Sequence, residues 1–571
     1  MPTEWQPDLV GPLIGGMNAG VDPELVPDLQ CSFGRNISVR GGRAHSRPRV
    51  IKRATLPSGK IQGASAFRDR NVVLIAIEGR IHEMSPSDFS LLEKTSSTDC
   101  NNPNRPRVFM CETVGSIAIQ DGQSTPIIYD GDQFRRADET KDELPVGWMM
   151  NYSNGRLCVV VDNQRAVRVG DIKGDAHQSE FKFTEATMLL GGGDLFFPSK
   201  VTSLASIPVI DTSSGQGTTL VGCRDRVFSL KTQVTSRDLW PDVGFQTDFF
   251  PSTGVVGDNA VAAVNQDLYF RSGDGLRSIR AAIGDYSSPG LAPISREVGY
   301  RFDHDGGELL TDATVVRFDN RLLATHSPIC YGNRSIALGL IAYNLDPLST
   351  SGQKSPPVYD GEWDLGVQIA EIVSSGFFGR DRCFVIGRDS TGNGVWEILR
   401  EADSVAGVSE NPVQEVITRT LPGAGINARK QLMRADLFVS DITTDATFTL
   451  YFRSDRYPHW TEWDSFTVPA SRGTGWGATK PVFRSPLSSR TPPEVFDSRT
   501  GNYLHHGFGF QVRLVWTGKA RINFIEVHSK PIQRAGVADN TENQTQTVYA
   551  DAPAGQESPS FWFQFTHSPL P

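Results

Sequence analysis

The 571-residue chain is too long for a single hydrophobic core, so we expect three or four domains or one large repeat architecture. Its 65 Asp and Glu residues outnumber 56 Lys and Arg residues, and the net charge of −9 argues against a sequence-reading nucleic-acid binder, which normally presents a basic face. The 55 glycines and 35 prolines indicate a chain that turns often.

Residues 1–59 predict an extended N-terminal strap. Between residues 15 and 48 the chain is dense in Gly, Pro and Asp, and a short strand-like run at 36–40 is followed by Gly41 and Gly42. We therefore expect one hairpin inside an arm that lies across a larger β-rich body. The first ten residues lack the charged flank and apolar run of a signal peptide, and no stretch reaches the length of a membrane span.

One pattern recurs over residues 60–404: a hydrophobic residue, a short turn rich in Asp, Asn, Gly and Arg, then several apolar or β-branched residues. Each copy is typical of a β-hairpin, and the copies start near 67, 109, 152, 220, 264, 318 and 378. This spacing is typical of β-propeller blades, which must stack on neighbours to bury both faces. We predict six or seven units. A string of β-sandwiches is the alternative, and the lack of a repeated module of about 100 residues favours the propeller.

The chain changes character after about residue 404. Strict alternation of apolar and polar residues at 435–440, 447–452, 510–516 and 520–527 predicts half-buried antiparallel strands, so we expect a separate C-terminal β-sandwich over 425–534. Residues 535–571 form a polar, extended tail with an aromatic end that needs a surface to cover it. The candidate subunit-contact residues are Phe561, Trp562, Phe563 and Phe565. The predicted fold class is thus all-β: a propeller, a sandwich and extended terminal segments.

Three stretches resemble one family of phage proteins. They are the segment 36–48, which contains Asn-x-x-Val-Arg-Gly-Gly and ends in Arg-Pro, the Gly-Asp-Gly hairpin at 273–275, and the closing strands at 507–531. Together they resemble the tail nozzle or hub proteins of short-tailed bacteriophages, including tail-tubular and DNA-retention adaptor proteins. The resemblance implies a structural virion protein of the phage tail that is synthesised in the host cytoplasm. It further implies a cyclic ring of six subunits that docks to other tail or portal-adaptor proteins and forms the conduit for DNA retention and ejection.

Two other functions stay open. A receptor- or glycan-binding tail protein is the first alternative. A propeller glycosidase is the second, because sialidases mark their blades with a Ser-x-Asp-x-Gly-x-x-Trp turn. The nearest match, residues 390–396, has Gly392 in place of the Asp and is one residue short. A pocket of acidic, Arg and Tyr side chains at the propeller mouth is the structural test of this second alternative.

The sequence predicts no catalytic, cofactor or metal site, and we expect the protein not to be an enzyme. It contains no GxSxG, GxxxxGK[ST] or HExxH motif, and no GxGxxG between a strand and a helix. The seven cysteines are odd in number and show no CxxC spacing, so we expect reduced residues that mostly lie in the core.

The acidic loop of Asp303, Asp305 and Glu308 is the one candidate site. Its carboxylates could wrap a Ca²⁺ ion, but the EF-hand spacing is absent and a solvated turn is the favoured interpretation. Because an acidic wall repels phosphates, we place the loop at the lumen or rim of the conduit. We expect duplex DNA to pass through without specific binding.

Overall fold

Short antiparallel strands make up most of the fold. The computed structural model describes residues 6–95, 100–188, 193–206, 219–230, 246–250, 253–264, 267–279, 293–303, 305–346, 349–350, 353–354, 358–401, 403, 410–423, 428–455, 457–470, 483–484, 492–498 and 502–532. Within these ranges the α-helices are Thr184–Met188 and Gly299–Phe302. The 3-10 helices are Arg40–Gly42, Arg68–Arg70, Glu139–Lys141, Asp162–Gln164, Ser179–Phe181, Arg296–Val298 and Leu309–Asp312.

Seven antiparallel sheets, here called blades one to seven, follow one another in the described part of the chain. The strands of blades one to four are Ile61–Phe67, Val72–Ile77, Arg80–Met84 and Leu91–Glu93; Phe109–Glu112, Ile117–Gln120, Ile127–Tyr129 and Phe134–Arg136; Met150–Ser153, Arg156–Val161, Ala166–Val169 and Asp194–Phe196; Val201–Ser206, Thr219–Cys223, Val227–Leu230 and Gln246–Phe250. The strands of blades five to seven are Val261–Val264, Asp267–Ser272 and Gly275–Ser278; Val315–Phe318, Arg321–Tyr331, Arg334–Asn344 and Val358–Trp363; Gln368–Phe377, Arg380–Asp389, Gly392–Ile398 and Val50–Thr55.

The blades close into a ring. The first strand of each blade contacts the first strand of the next, and Gln368–Phe377 of blade seven contacts Ile61–Phe67 of blade one. The outer strand of blade seven, Val50–Thr55, comes from the N-terminal part of the chain and pairs with Gly392–Ile398, so that Val50 lies opposite Ile398. The ring is therefore held shut by a strand from the opposite end of the sequence. The chain is an all-β protein built on a β-propeller with additional β segments, as the sequence predicts.

Blade-to-blade packing follows the two-residue period of a strand. All six residues of Val72–Ile77 are buried. Val73 and Ile75 pack in one cluster with Phe384 of blade seven, whereas Leu74 packs in another with Ile119 of blade two. Because alternate side chains point to opposite faces, one continuous apolar run fills both interfaces of a blade.

The seven hairpins predicted from the sequence are confirmed, including the two weaker copies at blades two and four. Their turns explain the recurring polar residues. Asn154 and Gly155 have φ of 51° and 72°, and Phe378 and Gly379 have φ of 51° and 73°. Two successive positive φ values are typical of the type I′ turn, whose twist matches that of the flanking strands.

The strap and the C-terminal region share sheets with the propeller. The strap strands are Gln6–Val10, Gly16–Met17, Gln30–Arg35, Ile37–Ser38 and Ala44–Ser46. The remaining strands are Ser349–Thr350, Gln353–Lys354, Gln414–Thr418, Lys430–Ser440, Ala446–Ser454, Thr461–Val468, Phe483–Arg484, Phe496–Asp497, Asn502–Tyr503, His506–Gly507, Phe510–Thr517 and Arg521–Pro531. The predicted strap hairpin is present, because Ile37 pairs with Ser46 and both Gly41 and Gly42 have positive φ.

One large sheet joins these regions. The strap strand Gln30–Arg35 pairs antiparallel with Gln414–Thr418 and, at Arg35, parallel with Glu362 of blade six. Gln414–Thr418 pairs in turn with Phe510–Thr517. Strap residues Met17 and Ile37 lie in the same core as Leu437 and Leu450 of the C-terminal region. The strap is thus an internal layer between propeller and C-terminal strands, and the domain boundaries at 59, 404, 425 and 534 stay a prediction.

Candidate functional site

A buried ion-pair cluster ties the strap to the propeller. Arg321 opens the second strand of blade six, and its Nε donates to Asp360 Oδ2 at 2.7 Å. Its Nη2 donates to Ser38 Oγ of the strap at 2.7 Å and also bonds Glu401. Glu401 contacts His45 of the strap as well. The cluster therefore joins two strap residues to two segments of the propeller region.

The charge balance of this cluster keeps its groups ionised. Burial alone would raise the pKa of Glu401, but its hydrogen bonds to His45 and Arg321 outweigh burial and lower that pKa to about 2. Arg40 of the strap adds a second cation, with Nη1 at 2.8 Å from Asp319 Oδ2 and Nε at 2.6 Å from Asp346 Oδ2. These contacts fix position and do no chemistry.

A second buried cluster fills the propeller axis. Arg107 Nε lies 3.6 Å from Asp312 Oδ1, and Arg107 Nη2 lies 3.9 Å from Glu371 Oε2. Arg334 Nη2 approaches the same two carboxylates at 3.6 and 3.4 Å. Residues that adjoin blades two, six and seven can meet only at the centre of the ring. The axis is therefore closed by charge pairs at this end and is no open pore.

Asp258 extends this axial cluster toward a cavity of about 260 Å³. Burial raises the pKa of Asp258 to about 6, and the nearby guanidinium of Arg107 only partly offsets this effect. The other charged residues that line the cavity are Lys200 and Arg224. Among the described lining residues there is no tyrosine. The acidic, Arg and Tyr pocket expected for a glycosidase is thus not found here.

The acidic loop divides into inward and outward residues. Asp305 Oδ2 lies 3.2 Å from Arg271 Nη2 with 3% and 0% of the two side chains exposed, and Asp305 Oδ1 accepts from the Ser327 amide. Asp303 and Glu308 are exposed. Asp305 is therefore a buried structural partner and does not face a lumen. The placement of Asp303 and Glu308 at a lumen or rim stays a prediction.

The largest cleft, about 700 Å³, lies between the strap and blades six and seven. His326 lines it with 6% of its surface exposed, and burial lowers its pKa to about 4, so the imidazole is neutral at pH 7. The carboxylates of the cleft are engaged by arginines. Arg301 contacts both oxygens of Glu362 at 2.5 and 2.9 Å, and Arg35 pairs with Asp364 at 2.6 Å. This arrangement leaves no ionised general base opposite His326 among those two carboxylates.

One group of metal-ligand type is present in the described part of the chain: Asp436, Glu526 and His528, on two paired strands of the C-terminal region. Arg434 contacts both oxygens of Asp436 at 3.2 and 2.6 Å. A guanidinium at that position opposes a bound cation, so the group is explained as a cross-strand ion-pair ladder.

The cysteine prediction is largely confirmed. Within the described residues none of the seven forms a disulfide, and five are buried. Burial raises the pKa of the Cys31 thiol to about 12, which makes it unreactive. Cys330 is exposed, contrary to the expectation for most of the set, because it lies near the tip of the long hairpin of blade six. The aromatic residues Phe561, Trp562, Phe563 and Phe565 lie outside the described residues.

Sequence reasoning missed the residues of both charge clusters. Arg321 is separated from Ser38 by 283 residues, and Arg107 is separated from Glu371 by a similar stretch of chain. No spacing motif links such positions. The available signal was weak: a charged residue directly at the start of an apolar strand, as at Arg321 and Arg334.

Comparisons with known proteins concern the fold. YCF48 bound to a D1 peptide is 12% identical and matches 63% of this chain and 97% of its own, with a TM-score of 0.34. The β-propeller domain of Cps50 (Swd1) from Myceliophteria thermophila is 9% identical and matches 62% and 100%, also at 0.34. PorZ of the type-IX secretion system of Porphyromonas gingivalis is 12% identical and matches 67% and 44%, at 0.34. These TM-scores are too low to support any inference about function.

No protein-family model matches the chain, and no curated protein matches it in sequence. The class that the sheets define is a β-propeller protein with an integrated strap. Across the described ranges, no helix has the length and apolar character needed to cross a membrane.

Proposed function

We propose that this protein is a structural subunit of a short-tailed phage tail, in which several copies form a cyclic ring around the DNA exit path. The proposal rests on the sequence resemblance and on one structural observation: the strap lies inside the sheet that connects the propeller to the C-terminal strands. Such an arrangement suits a part that bears load, because the three regions cannot separate without breaking strand pairs and the Arg321 cluster.

The strap also offers a contact surface for a second copy. Val21, Leu25 and Leu29 are exposed by 42%, 72% and 42%, on a strap loop that also carries Asp22 and Glu24. Exposed aliphatic side chains grouped on one loop are typical of a protein–protein contact. The described strap strands pair within their own chain, so under this proposal the strap supplies a surface, and any segment exchanged between subunits is the tail beyond residue 534.

The DNA conduit of the proposed ring lies between subunits. The propeller axis is closed by Arg107, Arg334 and their carboxylate partners, so duplex DNA cannot use it. With a net charge of −9, the subunits can surround the duplex with a neutral or acidic wall that holds it weakly. In this proposal the protein has no enzymatic activity, works in the virion tail after synthesis in the host cytoplasm, and contacts other tail or portal-adaptor proteins.

Light scattering on the full-length protein tests assembly. We expect a concentration-dependent mass of several subunits, and a lower assembled fraction for Leu25→Asp. The matched control is Leu92→Asp on an outer strand of blade one, where Leu92 is 57% exposed and lies far along the chain from the strap. A monomeric mass at every concentration, or equal loss in both variants, contradicts the proposed contact.

Filter binding across a salt series tests the conduit. We expect weak binding of duplex DNA at about 0.15 M salt, because no described surface is proposed to grip phosphates. Submicromolar affinity with a steep negative salt slope indicates a basic DNA-gripping surface and contradicts passive passage.

A further inference from the structure

The cavity beside the axial cluster has an uncompensated positive rim. Arg107 is matched by Asp312 and Glu371, but within the described residues neither Lys200 nor Arg224 has a carboxylate oxygen within 4 Å. Both side chains are exposed. The Arg224 amide donates to the Lys200 carbonyl at 3.2 Å, so two cations stand on adjoining strand ends. Their mutual repulsion is relieved when an anion binds between them.

The nearest acidic neighbour does not neutralise this rim. Asp225 follows Arg224 on the same turn, and its carboxylate bonds Ser199 Oγ and lies 3.4 Å from Arg226 Nε. Asp258, at the other side of the cavity, faces Arg107. The positive charge of Lys200 and Arg224 is therefore directed to the cavity opening and to solvent.

The rest of the cavity is built to admit a polar ligand. Gly273 and Gly307 line it, and a Cβ atom added at either meets nothing within 4 Å, so the backbone there is open to close approach. Gln164 lines the same cavity, and its amide has only a long 4.0 Å contact to the Met149 sulfur. It is available to donate a hydrogen bond to a ligand.

The rim carries unusual backbone strain. Asp162, Asn163 and Gln164 have successive φ values of 48°, 50° and 66°. Each left-handed residue costs roughly 1 kcal/mol, and such strain concentrates at binding sites, where a loop is held in one geometry for a ligand. Hairpin closure alone requires two such residues at most.

We propose that this axial cavity binds a small hydroxylated anion of about monosaccharide size, with a carboxylate or phosphate between Lys200 and Arg224 and hydroxyl groups toward Gln164 and Asp258. The cavity volume of about 260 Å³ lies just below the range of drug-sized ligand pockets, which limits the ligand to a small molecule. The site is independent of ring assembly, and it gives the protein a ligand-reading face at one end of the propeller.

Isothermal titration calorimetry on the full-length protein at low salt tests the site, with glucuronate, glucose 6-phosphate and glucose as probes. We expect saturable binding of at least one acid and none of glucose; the acid that binds distinguishes a carboxylate from a phosphate ligand. Lys200→Gln combined with Arg224→Gln is expected to weaken that binding by roughly tenfold or more. Because both side chains are exposed, the double variant should melt like the parent, and the two single variants are measured beside it.

The matched control is Arg317→Gln, an arginine of blade six whose side chain is 52% exposed and does not line the cavity. It should bind the acid as the parent does. The proposal is overturned if neither acid saturates, if glucose binds as tightly as the acids, or if the double variant retains full affinity.

Discussion

The Arg321 guanidinium donates to the Asp360 carboxylate at 2.7 Å with 1% and 0% of the two side chains exposed. This pair lies where the strap crosses blade six, and Ser38 and Glu401 complete the hydrogen bonding of the guanidinium. A buried charge pair is stable only when its remaining donors and acceptors are satisfied. The pair therefore depends on the strap being in place.

Removal of Arg321 is expected to be strongly destabilising. Arg321→Ala leaves Asp360 buried without its cation, and such a loss typically costs about 3–5 kcal/mol of unfolding free energy. Urea unfolding measures the change. Arg35→Ala serves as the control, because the Arg35–Asp364 pair has 47% and 43% of its side chains exposed and should cost less than about 1 kcal/mol. Equal effects of the two variants would contradict the structural role of the cluster.

The same cluster predicts loss of stability in acid. Glu401 has a folded pKa of about 2, below its ordinary value near 4.5, so its contribution is complete above about pH 4.5 and is lost as pH falls toward 2. The difference corresponds to roughly 2–3 kcal/mol. Glu401→Gln should lower stability at pH 7 and show a smaller further loss between pH 4.5 and 2. An unchanged acid slope in this variant excludes Glu401 as the source.

Asp258 predicts the opposite slope. Its folded pKa of about 6 lies above the ordinary value, so the folded state holds a proton that the unfolded state has lost, and stability falls as pH rises from about 4 to 6. Asp258→Asn removes this cost and keeps an oxygen that can accept a hydrogen bond. We expect the variant to be about 1–2 kcal/mol more stable than the parent at pH 7.5, and no less stable than it there. Thermal melts at pH 4.0 and 7.5 measure both values, and a variant that is less stable at pH 7.5 contradicts the assignment.

Phe378 provides a test of turn chemistry. It is 62% exposed and has φ of 51° in the turn before Gly379. Phe378→Asn creates the Asn-Gly pair that type I′ turns prefer, and we expect a gain of about 1 kcal/mol. Phe378→Ala separates the effects, because it removes the ring without favouring positive φ and should show no comparable gain. Equal stability of the Asn and Ala variants contradicts the turn argument.

The sequence predicted what is local. The propeller hairpins follow from turn residues such as Asn154 and Gly155, because positive φ and alternating apolar runs are properties of neighbours in the chain. The closing strand of blade seven was not predicted, because Val50 and Ile398 pair across the whole propeller sequence. Asp305 illustrates the same limit at the candidate site. A cluster of acids and glycines looks solvated in the sequence, and only the fold shows that Arg271 holds one of the acids inside.

Electron microscopy of the purified full-length protein tests the central proposal most directly. Negative-stain class averages are expected to show closed rings with cyclic symmetry, a propeller at the periphery of each subunit, and a central opening wide enough for duplex DNA. Single separate particles at every concentration, or filaments without closure, would contradict a ring-forming tail subunit.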